Sequence, residues 1–96
     1  MYKIGDFSKK TNINIKTLRY YDEIDLFKPS YADKFTGYRY YTDEQLLDIL
    51  LIKELKKLGL SLEEIKKYLK TKDIKILEKR RRALEMEINN ITNFLT

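Results

Sequence analysis

The sequence predicts a mostly α-helical fold that carries one small β-hairpin. Three observations predict it. Apolar residues recur at helical spacing over most of the 96 residues, capping signatures mark where helices begin, and one aromatic-rich stretch near the only Pro has strand character. The same composition bounds the chemistry. A chain this short buries only about 60 to 70% of the surface it exposes when unfolded, so a large enclosed cavity is not expected. With no His and no Cys, imidazole acid–base catalysis, thiol nucleophiles, disulfides, and His or thiolate metal ligands all fall away. No catalytic centre, metal or cofactor is expected. The net charge of +5 and the pI near 9.3 favour a polyanionic partner, nucleic acid before an anionic membrane surface.

Taken in order, the first two elements are short helices over about Ile4 to Lys10 and Ile15 to Ile24, separated by Thr11-Asn12-Ile13-Asn14. Asn12 suits a left-handed turn and Asn14 an N-cap. That is helix-turn-helix spacing. Leu26 to Tyr41 then contains the only Pro, a Thr36-Gly37 turn, and Tyr38-Arg39-Tyr40-Tyr41, whose aromatic content predicts a strand. A small hairpin, or wing, accounts for these features.

Thr42-Asp43-Glu44-Gln45 is a capping-box pattern that opens a helix with Leu46, Leu47, Leu50, Leu51, Leu55 and Leu58 as its core face, ending at Gly59. A second box, Ser61-Leu62-Glu63-Glu64, opens a helix ending near Lys70. From there Ile74, Leu77, Leu84, Ile88, Ile91 and Leu95 follow a heptad alternation with Arg81 in one seam slot. Such a seam wants a partner helix. In a parallel pair Arg81 would face its own copy, whereas antiparallel pairing about Leu84 sets it opposite Ile88 and brings Arg82 near Glu87. The expected plan is a winged helix-turn-helix head, residues 1–71, followed by a long antiparallel coiled-coil dimerisation helix, residues 72–96. The alternative for the last helix is packing back on its own head.

Divided at Tyr41 and Thr71, the segments carry net charges of +3, 0 and +2, so the basic excess lies at the two ends. On the second helix, at about 100° per residue, Ile15, Leu18 and Tyr21 share one side. Lys16, Arg19, Tyr20 and Glu23 share the other, with Thr17 at the margin. An α-helix fits the major groove, where Arg and Lys read guanine edges and Tyr and Thr bind phosphates or thymine methyl groups; the alternative is a solvated helix face. In the wing strand Arg39 is the candidate for a phosphate, while Tyr40 and Tyr41 are better explained by capping a small core. Lys53, Lys56 and Lys57 form a basic C-terminal turn that also complements the helix dipole. Glu63 and Glu64 are explained by capping, and three scattered glycines make no phosphate-cradling loop. The richest apolar run, Leu46 to Ile52, is broken by Asp48 and falls far short of the roughly 20 residues a membrane span needs. A cytoplasmic protein without membrane contact is expected.

Ile4-Gly5-Asp6-Phe7-Ser8, Ile15-Lys16-Thr17-Leu18-Arg19-Tyr20-Tyr21, Lys28-Pro29, Gly37-Tyr38-Arg39-Tyr40-Tyr41 and Leu58-Gly59-Leu60-Ser61-Leu62-Glu63-Glu64-Ile65 resemble, in order and spacing, the MerR family of bacterial transcription regulators. Asp25-Leu26-Phe27-Lys28-Pro29 and the Tyr-rich wing look most like its multidrug-responsive branch. The resemblance implies a dimer that binds a pseudo-palindromic promoter with an overlong spacer, then bends and untwists it so that RNA polymerase engages. It implies that Lys16, Thr17, Arg19 and Tyr20 read or anchor the major groove and that Tyr38 and Arg39 hold the flanking backbone. Tyr20, Tyr21 and Lys56 resemble positions that grip the distorted centre, and the turn and helix after Gly59 resemble a second wing. The chain departs from the common pattern at Asp25, where many members have Gly, and at Tyr31, where many have Arg. Drug-responsive members carry a C-terminal effector-binding domain, for which a chain ending at Thr96 has no room. The expectation is a DNA-binding fragment, or a short natural member with its input supplied elsewhere, that does not itself respond to a small molecule. Two other readings stay open: an excisionase-like architectural DNA-bending factor, and a coiled-coil protein-interaction module.

Overall fold

The computed structural model describes every residue from Met1 to Thr96. It is mostly helical, with a three-stranded antiparallel sheet. The elements are β1 (Tyr2–Lys3), α1 (Ile4–Thr11), α2 (Ile15–Glu23), β2 (Tyr31–Ala32), β3 (Arg39–Tyr41), α3 (Asp43–Lys57), α4 (Leu62–Thr71) and α5 (Lys75–Leu95). The chain packs as two compact units, Met1–Glu54 and Leu55–Thr96, with the boundary inside α3.

In the first unit, α1 ends where Asn12 turns left-handed at φ 59°, as its small polar side chain permits. Asn14 then caps α2, its Oδ1 accepting from the Thr17 N–H at 2.7 Å. Asp25 supplies a further left-handed turn at φ 64°, the backbone that a Gly at this position favours. The expected hairpin is present, with Tyr31 paired to Tyr40 and Ala32 to Arg39. It gains a third strand that periodicity did not signal: β1 lies along the other side of β3, pairing Tyr2 with Tyr41 and Lys3 with Tyr40. Tyr2 also donates its hydroxyl to Asp43 Oδ1 at 2.5 Å, which ties the first strand to the start of α3.

The core of this unit is aromatic. Tyr41 is fully buried and stacks on Phe7 with ring centroids 4.4 Å apart, while Phe27 stacks on Tyr41 at 5.8 Å. Leu18, Tyr21, Leu26, Ile49 and Ile52 are buried as well. Tyr41 is thus a core residue, and burial pushes its hydroxyl up to about 12. The core face of α3 differs from the expected one. Ile49, Ile52 and Leu55 are buried, whereas Leu47, Leu50, Leu51 and Leu58 are exposed, Leu47 by 74%.

In the second unit, Gly59 follows α3 in left-handed backbone at φ 91°. Ser61 and Glu64 form a complete capping box at the start of α4. Leu60 and Ile65 are buried, and the chain turns at Lys72, φ 56°, into α5. Leu77 and Leu84 of the α5 seam are half-buried and line an open apolar hollow with Leu55, Leu58 and Leu60, edged by Arg80 and Arg81. Ile74, Ile88, Ile91 and Leu95 are exposed. No helix is long and apolar enough to cross a membrane.

Candidate nucleic-acid interface

The candidate surface is built on α2 because its two sides differ so strongly. Leu18 and Tyr21 anchor the helix in the aromatic core, which fixes its rotation and turns Lys16, Arg19, Tyr20 and Glu23 outward. Ile15, Lys16, Arg19, Tyr20 and Glu23 line one open hollow. Tyr20 is 48% exposed, and its ring lies 6.5 Å from that of Tyr21. Of the two tyrosines named from the sequence, only Tyr20 offers its ring to a partner; Tyr21 faces inward, and burial pushes its hydroxyl up. Thr17 is half-buried at the margin, as its angle on the helix requires.

A second cleft, of about 350 Å³, joins this helix to the wing and is lined by Lys3, Ile4, Gly5, Asp6, Arg19, Gly37, Tyr38 and Arg39. Three site residues chosen from two separate parts of the sequence, Arg19 on α2 and Tyr38 and Arg39 of the wing, therefore meet in one place. Gly37 turns the chain into Tyr38 at φ 75°, a left-handed value that favours Gly. Lys3 joins them through β1, its ammonium 5.2 Å from the centre of the Tyr38 ring, within cation–π range. Neither the charge pattern nor the periodicity marked Lys3, since its placement depends on a strand pairing across the whole head.

Arg39, the candidate for a phosphate, is itself paired. Its Nε donates to Asp22 Oδ2 at 3.0 Å, and Lys28 Nζ reaches Asp22 Oδ1 at 3.1 Å and Asp25 Oδ1 at 3.1 Å. Burial would raise the Asp22 pKa, but the hydrogen bonds and charges of Arg39 and Lys28 outweigh it and hold the carboxyl below its ordinary value. Asp22 thereby fastens the wing to α2. The signal in the sequence was its place one turn beyond Arg19 and Leu18, facing the margin between core and surface.

Lys56 lies in the other unit, exposed in the last turn of α3. Arg80 donates from its Nε to the Leu58 carbonyl just beyond that turn and covers Gly59. Among the seam residues of α5, Arg81 pairs loosely with Glu85 at 3.8 Å. No group of carboxylates is arranged to hold a metal ion.

The chain is similar in sequence and fold to known proteins. Residues 2–72 match the family model described as MerR HTH family regulatory protein. Over 66 residues the chain is 62% identical to the multidrug-efflux transporter 1 regulator of Bacillus subtilis (strain 168), covering 69% of this chain and 24% of that protein. The EcmrR chain in a cryo-EM structure of the EcmrR–DNA complex in EcmrR-RPo superposes with a TM-score of 0.83 at 36% identity, covering 98% of this chain and 35% of that one. A crystal structure of HiNmlR, described as a MerR family regulator lacking the sensor domain and bound to promoter DNA, gives a TM-score of 0.75 at 25% identity over 98% of this chain and 81% of that one. The chain spans about a quarter of the length of the Bacillus relative.

Proposed function

Because the chain belongs to the MerR family of helix-turn-helix regulators, we propose that it is a sequence-specific, dimeric transcription regulator acting on promoter DNA in the cytoplasm. Residues 1–71 serve as the DNA-binding head. Lys16 and Arg19 read base edges in the major groove, with Thr17 and Tyr20 against the backbone or thymine methyl groups. Tyr38 and Arg39 hold the flanking phosphates. Tyr20, backed from the core by Tyr21, and Lys56 grip the centre of the operator. The observation that carries this reading is the cleft in which Arg19 from α2 meets Tyr38 and Arg39 from the wing.

Residues 72–96 pair antiparallel with a second copy, through Ile74, Leu77, Arg81, Leu84, Ile88, Ile91 and Leu95. The dimer bends and untwists a promoter whose spacer is too long, so that RNA polymerase is recruited indirectly through DNA shape. Such deformation costs energy that depends on the sequence deformed and is offset by phosphate contacts, which gives preference at bases the protein never touches. The deciding experiment is selection of bound duplexes from a random DNA pool at near-physiological salt. An inverted repeat with a long, uncontacted centre is expected. Unenriched binding that disappears as salt rises would overturn the reading in favour of a protein-interaction module.

A further inference from the structure

The turn at the end of the wing carries a feature that the assignments above leave unused. Phe35 is fully exposed, at 101% of its reference area, yet its backbone is firmly held. Asp33 Oδ1 accepts from the N–H groups of Phe35 at 2.8 Å and Thr36 at 3.1 Å. Thr36 Oγ1 accepts from the Tyr38 N–H at 3.2 Å, and the Asp33 N–H donates to the Tyr38 carbonyl at 2.8 Å. The Asp33 carboxyl, held below its ordinary value by the N–H groups of Thr36 and Phe35, stays ionised to make these bonds. A single exposed apolar side chain is ordinary. A phenyl ring presented on a braced turn, between exposed Lys34 and exposed Tyr38, is a contact surface built in advance.

We infer that the wing tip is a DNA prong: Phe35 lays its ring against the sugar walls of the minor groove flanking each half-site, and Lys34 pairs with a phosphate at the groove edge. The inference rests on the regulator reading and extends it. Continuity selects DNA as the occupant, since Tyr38 and Arg39 begin the proposed backbone contact on the same hairpin and the tip carries that surface outward. Chemistry agrees. Proteins that enter the minor groove commonly do so with apolar side chains such as Phe, and a narrow minor groove attracts Lys.

The test compares wild type with Phe35→Ala on two duplexes. One is a selected operator trimmed to its half-site edges; the other is the same operator extended by about one helical turn, roughly 10 base pairs, on each side. Extension is expected to tighten wild-type binding about fivefold, which is what burying half of a phenyl ring is worth. Phe35→Ala should lose that gain, match wild type on the trimmed duplex, and keep its melting temperature. An equal gain from extension in both proteins would overturn the prong, as would an equal loss by the variant on both duplexes. If the flanks contribute nothing but Phe35→Ala lowers transcription in a reconstituted polymerase reaction, the tip meets a protein and the inference is wrong. Failure of wild type to select any operator would instead overturn the regulator reading itself.

Discussion

Asp22 sits where three segments meet, and its carboxylate is what makes Arg39 a fixed rather than a wandering cation. Because its pKa is depressed in the fold, the stability it contributes is present above the ordinary value of 3.8 and lost as pH falls from there through the folded value. Asp22→Asn should therefore cost about 1 to 2 kcal/mol at neutral pH, the range for a partly buried, charge-assisted hydrogen bond. In denaturant titrations the gap from wild type should close as the pH falls below that range; a gap independent of pH would refute this role. At this scale the sequence was only partly legible. Lys16, Arg19 and Tyr20 were placed correctly on the exposed side of α2, because helical angle alone separates them from Leu18 and Tyr21. Asp22 showed only its marginal place on α2 and Lys3 showed nothing, because their roles come from partners elsewhere in the chain.

Among the elements, helix starts were the most legible and helix faces the least. Asn14 and Ser61 act through hydrogen bonds to residues three positions on, so local sequence carried the whole signal. The α3 helix has apolar residues nearly all round: Leu46, Leu47, Ile49, Leu50, Leu51 and Ile52 crowd one stretch. Periodicity then selects no single face, and tertiary packing chose Ile49 and Ile52 over Leu50 and Leu51. Strand β1 was missed for a different reason: two residues cannot show a period, and its partner β3 lies near Tyr41. The junction of α3 and α4 offers a clean test. An added methyl at Gly59 would run into the Arg80 guanidinium, the far end of a flexible side chain, which must shift to admit it. The left-handed φ of 91° therefore sets most of the cost, and Gly59→Ala should destabilise by about 1 to 2 kcal/mol. Chemical denaturation of Gly59→Ala alone and combined with Arg80→Ala separates the two causes: if Arg80→Ala rescues most of the loss, the steric contact dominates.

Across the whole molecule, the outer part of α5 stands out. Ile88, Ile91, Phe94 and Leu95 are all exposed on the last three turns, a concentration of apolar surface that an isolated helix in water does not retain without cost. If a second copy covers it, folding and association are linked, and the melting temperature should rise with protein concentration. Ile88→Lys should flatten that dependence while leaving the aromatic core of the first unit folded. A concentration-independent melting temperature for wild type would argue against the dimer. The overall charge had less to say than the seam: a net charge of +5 suits DNA, but the cleft lined by Lys3, Arg19 and Arg39 shows where part of that charge is concentrated.

The pairing of Tyr2 with Tyr41 also imposes an order on the protein's birth. The first strand leaves the ribosome early and has nothing to pair with until β3 follows, and the hydroxyl of Tyr2 waits further for Asp43. The helices between them form from local contacts, but closing the sheet requires bringing the two ends of this segment together, a step slowed by the loop it must close. A pause in translation before Tyr41 emerges would leave α1 and α2 without the stacked ring that completes their core, whereas a pause after Asp43 has emerged would find the wing able to close.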